Sequence, residues 1–566
     1  MADSLPTNLQ IAALLNEYAT LLELRGESAF RLQAYRRGAE ALAELDNSAA
    51  KLSAAELQDI EGIGKGISAI VREIAARGSF KALDEVRLIL PSSLARFLEL
   101  PGVGVKTALR LYESLGVATL PDLRAAAEAG RIAATKGLGA KTERTVLDGL
   151  AQLAVYEGRH SLASALPLAE RLLRTLQERG WHRISPVGSL RRWRETVGDL
   201  DFLIAADDPA AALAAVADLP DIGEELGHDE YGVRFALRGS DLTVQASVAP
   251  PARWGTALVR WTGSATHCDQ LIALGQETGL GDPFAREFAT EDEFYAALGL
   301  PTIPPELREG RDEVAAARAG RLPALITVAD IRGDLHAHST WSDGGQTIAE
   351  MAQAAIARGY GYLSISDHTH GLAIANGLDE RRLRAQWREI DHLNAELAPF
   401  RLFKSAEVEL RRDGTLDLPD AVLAELDLVI ASLHTGLRGD RATVTSRLLA
   451  AIRNPHVDII AHPSGRIVGG RAGADYDWAA VFAAAAETRT ALEINAGPDR
   501  LDLTDERARE AAEAGITLTV DCDAHAVDHL AWLPFGISVA RRAGVTPQQV
   551  LNTREVGEVL AWARER

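Results

Sequence analysis

The pattern of apolar and polar positions changes twice along the chain. Residues 1–150 carry Ala, Leu, Glu and Arg at helical spacing with interrupting glycines, and we expect helices throughout this part. Residues 183–250 contain runs in which apolar and polar positions alternate, as in 199–204 and 242–248, which predicts strands. Residues 251–310 return to helical spacing broken by turns.

From residue 331 onward, short apolar runs alternate with helical segments. The runs 363–368, 427–434 and 457–462 each end on a histidine. This rhythm predicts a β/α barrel with its chemistry at the carboxyl ends of the strands. A stretch rich in Ala, Arg and Pro at 312–328 precedes it, and we expect it to link two domains.

Composition limits the class of protein. A chain of 566 residues suggests three or four domains, and 47% hydrophobic with 25% charged residues is ordinary for a soluble protein. The first ten residues lack the features of a secretory signal, and no apolar run approaches the ~18 residues of a membrane span. Cys268 and Cys522 have no metal-binding or redox spacing. We therefore expect a cytoplasmic protein without a membrane partner.

A Gly-apolar-Gly motif occurs three times, at 61–66, 101–106 and 136–141, each time before an amphipathic helix. Such a turn presents backbone N–H groups at a helix N-terminus, where they can bind a phosphate. A single copy would favour an ordinary glycine-capped link between helices, but three copies favour helix-hairpin-helix binding of a nucleic-acid backbone. This mode also suits a chain of net charge −20, which disfavours non-specific adhesion to DNA. The expected DNA contacts are Gly62, Gly64, Gly66, Gly102, Gly104, Lys106, Gly137 and Gly139.

A second motif lies in the strand-rich part. Gly188-Ser189 is followed ten residues later by Asp199 and Asp201, whose carboxylates point to one face of a strand and can share a divalent ion. Arg191 or Arg192 can meet a triphosphate. A chance match is plausible for the two aspartates alone, whereas the combination is typical of the nucleotidyltransferase superfamily.

The last 230 residues contain a set of metal-ligand side chains. Imidazoles and carboxylates at strand ends suit divalent transition metals, and the set is too large for one ion. We predict two or three ions, Mn²⁺ or Zn²⁺ rather than Mg²⁺, in an arrangement suited to phosphate esters. Some histidines could instead be buried core residues, and His392 and His529 are expected to have no metal role. The predicted ligands are His336, His338, Asp343, His368, Glu407, His434, His462, Asp523 and His525.

These motifs together resemble the bacterial family X DNA polymerases that carry a C-terminal PHP (polymerase and histidinol phosphatase) domain. The resemblance covers nearly the whole chain and includes 261–264, 298–309, 413–417 and 493–495. It implies a multidomain fold with α+β and α/β parts. The implied domains are an N-terminal helix-hairpin-helix domain (1–85), a fingers-like helix-hairpin-helix domain (86–160), a nucleotidyltransferase palm (161–250), a thumb (251–315), a linker (316–330) and the PHP domain, a distorted β/α barrel (331–566).

The resemblance also implies roles. Asp199 and Asp201 would be catalytic and hold Mg²⁺ or Mn²⁺, and Gly263 would join the nucleotide site. Glu407 and Asp523 would be catalytic in the PHP domain, with Glu407 bridging ions. The implied activities are gap filling with dNTPs and metal-dependent 3′-5′ exonuclease action, on DNA with gaps, nicks or 3′ ends in the nucleoid. Arg466 is predicted to help hold the phosphate.

Four positions depart from the family pattern. An ungapped match places Gln245 where the palm has a third carboxylate, and a neutral amide cannot bridge metals or accept a proton. Arg260 and Cys268 replace a Tyr and an Asn at the nucleotide pocket. We therefore expect weakened polymerisation. Ile70 stands where lyase-active members have a Schiff-base Lys, so no lyase activity is predicted.

Two other functions remain open on the sequence alone. The chain could be a phosphatase of a small metabolite with a vestigial N-terminal half, which three hairpins disfavour. It could also be a non-catalytic scaffold for DNA ends, which the complete ligand set disfavours.

Overall fold

The computed structural model describes residues 5–45, 47–100, 102–228 and 232–565. The chain divides into two compact units. The first comprises residues 1–190, 196–261 and 284–293, and the second comprises 191–195, 262–283 and 294–566. The predicted domain boundaries divide the chain differently from these two units and stay a prediction. Among the described residues, every helix falls short of the length and apolar character that crossing a membrane requires.

The N-terminal part of the first unit is helical, as the sequence predicts. Thr7 and Gln10 form a reciprocal capping box that begins the first helix. Its apolar face, including Ile11 and Leu15, joins one buried core that extends to Leu150. The helices are α1 (Asn8–Leu24), α2 (Ala29–Glu44), α3 (Ala54–Gln58), α4 (Lys65–Arg77), α5 (Lys81–Arg87), α6 (Val105–Leu115), α7 (Leu120–Glu128), α8 (Arg131–Ala134) and α9 (Gly139–Val155).

The Gly-apolar-Gly motifs lie at the starts of α4, α6 and α9. In the first motif, Gly62 has φ 85° and Gly64 is the N-cap of α4. The second repeats this, with Gly102 at φ 83° and Gly104 as the N-cap of α6, while Pro101 lies outside the described residues. The third differs, because Gly139 itself begins α9.

The first unit also contains a five-stranded sheet with strand order β2-β4-β7-β6-β5, in which only β4 and β7 are parallel neighbours. Val187, Leu203, Ala249 and Trp254 form part of its packed face. The elements are β1 (His160–Ser161), α10 (Leu162–Glu178), β2 (Ile184–Pro186), α11 (Gly188–Arg191), β3 (Thr196–Val197), β4 (Leu200–Ala205), α12 (Pro209–Ala217), β5 (Ile222–His228), β6 (Gly232–Leu237) and β7 (Thr243–Ala249). Four helices follow along the chain: α13 (Trp254–Thr262), α14 (Ala265–Glu277), α15 (Glu291–Ala297) and α16 (Glu313–Arg318); α14 and α16 belong to the second unit.

The second unit is built on seven parallel strands that form a nearly closed barrel. Their order in space follows the chain, and the first and last strands meet through a parallel bridge between Ala337 and Ala524. Residues on both faces of these strands are buried, which explains why the sequence shows continuous apolar runs. The strands are β8 (Gly333–Ala337), β9 (Tyr362–Ile365), β10 (Arg401–Glu409), β11 (Leu428–Ser432), β12 (Ile459–Ile460), β13 (Ala491–Asn495) and β14 (Leu518–Asp521).

Helices surround this barrel and cover its apolar exterior. The last of them contributes Trp562 to a buried cluster with Tyr362, Phe403 and Ile459. The helices are α17 (Ile348–Ala357), α18 (Glu380–Leu397), α19 (Asp420–Leu423), α20 (Arg441–Ile452), α21 (Trp478–Thr488), α22 (Asp505–Glu513), α23 (Leu533–Ala543) and α24 (Val556–Arg564). The expected fold class is confirmed, with helix-hairpin-helix parts, a mixed sheet and a PHP-type barrel.

Candidate metal centre and palm site

All nine predicted ligand residues lie on one end of the barrel. His336 is on β8, Glu407 is on β10, and the others follow the carboxyl ends of β8, β9, β11, β12 and β14. Three groups have ligand atoms within 4.8 Å of one another. They are His338, Asp343, His368 and His525; His336, His338, Glu407 and Asp523; and His368, Glu407 and His434. Each of three residues belongs to two of these groups, so the candidate ion sites are adjacent; the shared residues are His338, His368 and Glu407.

Glu407 lies at the centre of this set. Its Oε2 is 2.8 Å from His368 Nδ1, and its Oε1 is 3.0 Å from His462 Nε2 and 3.4 Å from His434 Nε2. Its Oε2 is also 3.4 Å from His336 Nε2. A carboxylate with both oxygens facing imidazoles is suited to bridging two ions.

Two further carboxylates orient the imidazoles from outside. His336 Nδ1 is 2.7 Å from Glu493 Oε1, and His434 Nδ1 is 2.7 Å from Glu409 Oε2. In both cases this interaction leaves the other ring nitrogen facing Glu407. Such outer partners fix the tautomer and the ring orientation of a metal-binding histidine.

The loop that carries Asp343 is held by a buried aspartate. Asp367 accepts hydrogen bonds from the backbone N–H of Ser339 at 2.8 Å and from the hydroxyl of Ser342 at 2.5 Å. It also accepts a bond from Gln386 Nε2 at 2.5 Å. Because Asp367 directly precedes His368, it ties two ligand-bearing segments together.

Burial and mutual charge set the protonation of the centre. Burial opposes ionisation of Glu407, but His368, His434 and His336 outweigh it and hold its pKa well below the ordinary value. Burial likewise opposes protonation of His368, but Glu407 and Asp343 raise its pKa to about 9. Burial together with Arg500 lowers the pKa of His462 to about 4. The site therefore combines ionised carboxylates with imidazoles in different protonation states.

Several buried polar atoms fit bound cations. In the described part of the chain, His336 Nε2, His338 Nδ1, Glu407 Oε2 and His462 Nδ1 have no hydrogen-bond partner. Unsatisfied buried nitrogen and oxygen atoms are costly unless something occupies their lone pairs. Two ligands also have unusual backbone, with φ 28° at His462 and φ 50° at Asp523. Such strain, on the order of 1–3 kcal/mol per residue, is typical of functional sites. The donor set fits divalent metal ions.

The guanidinium of Arg466, predicted to help hold the phosphate, is bonded to neighbouring groups of the protein. It donates to the carbonyl oxygen of Leu501 and, at 2.6 Å, to Glu195 Oε2. Arg500 is the arginine that borders the centre, with Nε 3.8 Å from Asp523 Oδ2. The phosphate-holding role of Arg466 stays a prediction, and Arg500 is a second arginine near the ligands.

The nucleotidyltransferase motif adopts the expected turn-and-strand arrangement. Gly188 has φ 61°, and a Cβ there would lie 2.1 Å from Asp201 Oδ2, so only glycine allows the close approach. Asp199 immediately precedes β4 and Asp201 is on it, both half-buried.

The strand register places Gln245 beside Asp201. The two residues are partners across the parallel β4–β7 pair, and Arg234 of β6 pairs with Gln245 on its other side. This agrees with the ungapped match that assigned Gln245 to the third-carboxylate position. Asp241, the acidic residue four positions before Gln245, precedes β7 and is exposed. The position at which a third carboxylate was expected thus carries the neutral amide of Gln245, with Arg234 as its neighbour on β6, so this part of the palm has less negative charge.

The remaining predicted nucleotide-site residues lie around the ends of α11 and α13. Arg191 donates to Thr262 Oγ1 at 2.7 Å. Arg192 is buried, and its guanidinium pairs with Glu309 at 2.9 Å and donates to the Thr262 carbonyl at 2.6 Å. Gly263 lies between α13 and α14. The charge of Arg192 is compensated by Glu309, and the nucleotide-binding role of both arginines stays a prediction.

Sequence reasoning missed Glu409 and Asp367 as parts of the metal centre. Both had a local signal. Glu409 is two residues after Glu407 on one strand and thus on the same face, and Asp367 directly precedes a ligand. Glu493 was noted only as part of a flanking motif.

Comparison with known proteins supports this architecture. A helix-hairpin-helix domain model matches residues 6–80, and a SAM-like helix-hairpin-helix tandem model matches residues 94–152. The DNA polymerase/3′-5′ exonuclease PolX of Bacillus subtilis is 37% identical over 567 residues, covering 98% of this chain and 99% of that protein. A protein named probable phosphatase from Thermoanaerobacter sp. is 30% identical over 244 residues, 41% of this chain and 94% of its own. A probable phosphatase from Syntrophotalea carbinolica is 30% identical over 229 residues, 39% of this chain and 90% of its own.

Fold and site define an enzyme that joins helix-hairpin-helix domains and a nucleotidyltransferase-type sheet to a PHP-type metal barrel. Its catalytic machinery requires divalent metal ions. The chain belongs to the bacterial PolX family, the family X DNA polymerases with a C-terminal PHP domain.

Proposed function

We propose that the barrel hydrolyses phosphodiester bonds at the 3′ ends of DNA and that the palm adds nucleotides only slowly. The observation that carries this proposal is the convergence of the nine predicted ligand residues, Glu407 among them, at one end of the barrel, set against a palm in which Gln245 lies where a carboxylate was expected. The name of the Bacillus subtilis relative, a DNA polymerase/3′-5′ exonuclease, supports both halves.

Bound divalent ions would lower the pKa of a water and neutralise charge on the phosphate. The protein's own contribution is orientation. Glu407 and Asp523 place carboxylate oxygens between the imidazoles, while Glu409 and Glu493 fix two of the rings. Arg500 adds a positive charge at the border, where it can bind a phosphate oxygen.

In the palm, Gly188 permits close approach of the chain to Asp201, and Asp199 and Asp201 would hold Mg²⁺ or Mn²⁺ with the incoming dNTP. Because Gln245 cannot ligate a metal as a carboxylate does, we expect slow extension. In the barrel, a histidine-rich set favours Mn²⁺ or Zn²⁺. Gapped or nicked DNA in the nucleoid is the proposed substrate, held by the Gly-apolar-Gly turns.

The test uses the purified full-length chain, Mn²⁺ and a labelled 3′-recessed primer, with and without dNTPs, beside a phosphomonoester. We expect shortening of the primer that is lost in His336→Ala and Glu407→Ala. His392→Ala is the matched control, since that side chain is 72% exposed and pairs with Glu396. It should shorten DNA as the wild type does.

The similarity of part of the chain to probable phosphatases favours a second candidate, a phosphatase of small metabolites. Turnover of the phosphomonoester with intact DNA would support that function instead. No reaction on any substrate would support the remaining candidate function, a non-catalytic scaffold for DNA ends.

A further inference from the structure

One loop beside the metal centre has no part in ligation. It spans 369–377, between the ligand His368 and the buried Leu378, and contains a single 3-10 turn at Ala373–Ala375. Ile374, in the middle of that turn, is 95% exposed, more than any other large apolar side chain among the described residues.

The loop is fixed at both of its ends. Leu378 donates its backbone N–H to the His368 carbonyl at 2.7 Å, and Gly371 donates to Asp417 Oδ2 at 2.6 Å. Ala375 and Leu378 are buried beneath the tip. The exposed position of Ile374 is therefore imposed by an ordered turn.

Asn376 joins the loop to the segment that carries the ligand Asp343. It adopts φ 55°, and its Nδ2 donates to the carbonyls of Trp341 at 3.2 Å and Ser342 at 3.3 Å. Arg382 reinforces this junction by donating to the Asn376 carbonyl at 2.7 Å.

Asp343 is the most exposed of the nine ligands, with 35% of its side chain accessible, so this junction marks the open side of the metal centre. Ile374 is two residues from Asn376, so the two Cα atoms lie within about 7 Å of each other. Ile374 therefore lies on the loop that is bonded to the segment carrying the most exposed ligand.

The chemistry of the tip favours a flat apolar partner. Residues 371–378 carry no charged side chain, so the tip has little to attract a phosphate. A branched aliphatic side chain gains free energy when it leaves water, and aliphatic side chains pack against nucleobases in many complexes.

We propose that Ile374 packs against the unpaired base of the 3′-terminal nucleotide whose phosphodiester lies at the metal centre. This proposal rests on the proposed hydrolysis of DNA. It assigns Ile374 a role in substrate specificity, since a phosphoester without a base gains nothing from the contact.

The test compares wild type with Ile374→Ala on two single-stranded oligonucleotides with Mn²⁺. One has an ordinary 3′-terminal nucleotide and the other has tetrahydrofuran in place of that nucleoside. We expect Ile374→Ala to lower kcat/KM on the ordinary strand roughly tenfold, mainly through KM, because the apolar side chain that the base would bury is truncated. Replacing the terminal nucleoside by tetrahydrofuran should lower the kcat/KM of the wild type by a similar factor. It should lower the kcat/KM of the variant little, because the two changes remove the same contact.

Three controls complete the design. Ile374→Phe should retain the rate on the ordinary strand. Val328→Ala, which truncates another aliphatic side chain that is 47% exposed, should behave as wild type. An oligonucleotide made only of tetrahydrofuran residues, which has no base, should be hydrolysed equally by wild type and Ile374→Ala.

Equal rates for wild type and Ile374→Ala on both strands would overturn the proposal while leaving DNA hydrolysis intact. A tenfold loss on the strand made only of tetrahydrofuran residues would also overturn it, because it would place the effect at the metal centre. Failure of the wild type to shorten DNA would overturn the proposed function as well.

Discussion

Glu409 orients the imidazole of His434. Its Oε2 lies 2.7 Å from Nδ1, and the opposite nitrogen, Nε2, then faces Glu407 Oε1 at 3.4 Å. Glu409 is not within the groups of ligand atoms, so it acts on the metal centre through the ring. Its removal should thus change metal affinity without deleting a ligand.

We expect Glu409→Gln to weaken Mn²⁺ binding roughly 10- to 100-fold, the usual effect of losing such a partner. The neutral amide no longer favours the ring tautomer that presents Nε2. Calorimetric Mn²⁺ titration measures this directly. Glu425→Gln is the control, because Glu425 is an exposed carboxylate paired with Arg384. Equal affinities in both variants would show that Glu409 does not orient His434.

Gln245→Asp should increase primer extension up to ~10²-fold, the scale on which one electrostatic group affects catalysis. The new carboxylate would lie between Asp201 and Arg234, its register partners. Single-nucleotide incorporation on a gapped duplex provides the measurement, with Gln245→Glu and Gln245→Asn as companions. Strong extension by the wild type would contradict the inferred weakness of the palm.

Gly188→Ala should abolish extension and spare hydrolysis. The added Cβ would lie 2.1 Å from Asp201 Oδ2, in a backbone region that L side chains rarely adopt. Parallel assays of extension and primer shortening distinguish a palm defect from general unfolding. Gly188→Ala is best studied with Gln245→Asp present, so that the extension signal is measurable. Unchanged extension would contradict the close approach seen here.

Arg500→Gln should reduce hydrolysis of a 3′ end about 10- to 100-fold by removing a positive charge beside the phosphate. Arg489→Gln is the matched control, because Arg489 precedes β13 at the opposite end of that strand and is 49% exposed. Steady-state kinetics on a labelled single strand tests the pair. If both variants retain wild-type rates, Arg500 takes no part in the reaction.

Acid should destabilise the second unit through His267. Burial lowers its pKa against the opposing effect of Glu313, whose Oε1 is 2.7 Å from Nδ1. At neutral pH the ring is uncharged in both the folded and unfolded states. As pH falls below the ordinary histidine pKa of about 6.5, only the unfolded state gains the proton, and folding stability declines.

The loss is about 1.4 kcal/mol for each pH unit over which only the unfolded state is protonated. His267→Gln removes this titration, so the variant should lose less stability than the wild type between pH 7 and pH 5. Hydrogen exchange in α14 at the two pH values measures the local effect. Equal losses would assign the acid sensitivity to other groups.

Several of the metal ligands were accessible from sequence because they follow short apolar runs. Parallel strands of a barrel end on the same side, so His368, His434 and His462 must converge even though their order in space was unknown. Gly188 was likewise predictable, since two carboxylates beside a Gly-Ser turn leave little room for a side chain.

The arginines were less predictable. Arg192 and Arg466 both follow recognisable motifs, yet each is paired with a glutamate distant in sequence, Glu309 and Glu195. The partner of a long charged side chain depends on tertiary packing, which local patterns do not contain. Glu409 was missed for a different reason: it contacts the ring of His434, and its spacing from Glu407 alone does not show which ring it contacts.

Closure of the barrel has a consequence for synthesis of the protein. His338 and Asp523 are 185 positions apart and approach to 3.0 Å only where β14 meets β8. Contacts between such distant residues form late, because the intervening chain must already be ordered. On the ribosome, an emerging chain has released His336 and His338 long before Asp523 and His525 exist. A chain that stops before its last strand therefore lacks a complete metal centre, and prematurely ended copies cannot act as nucleases.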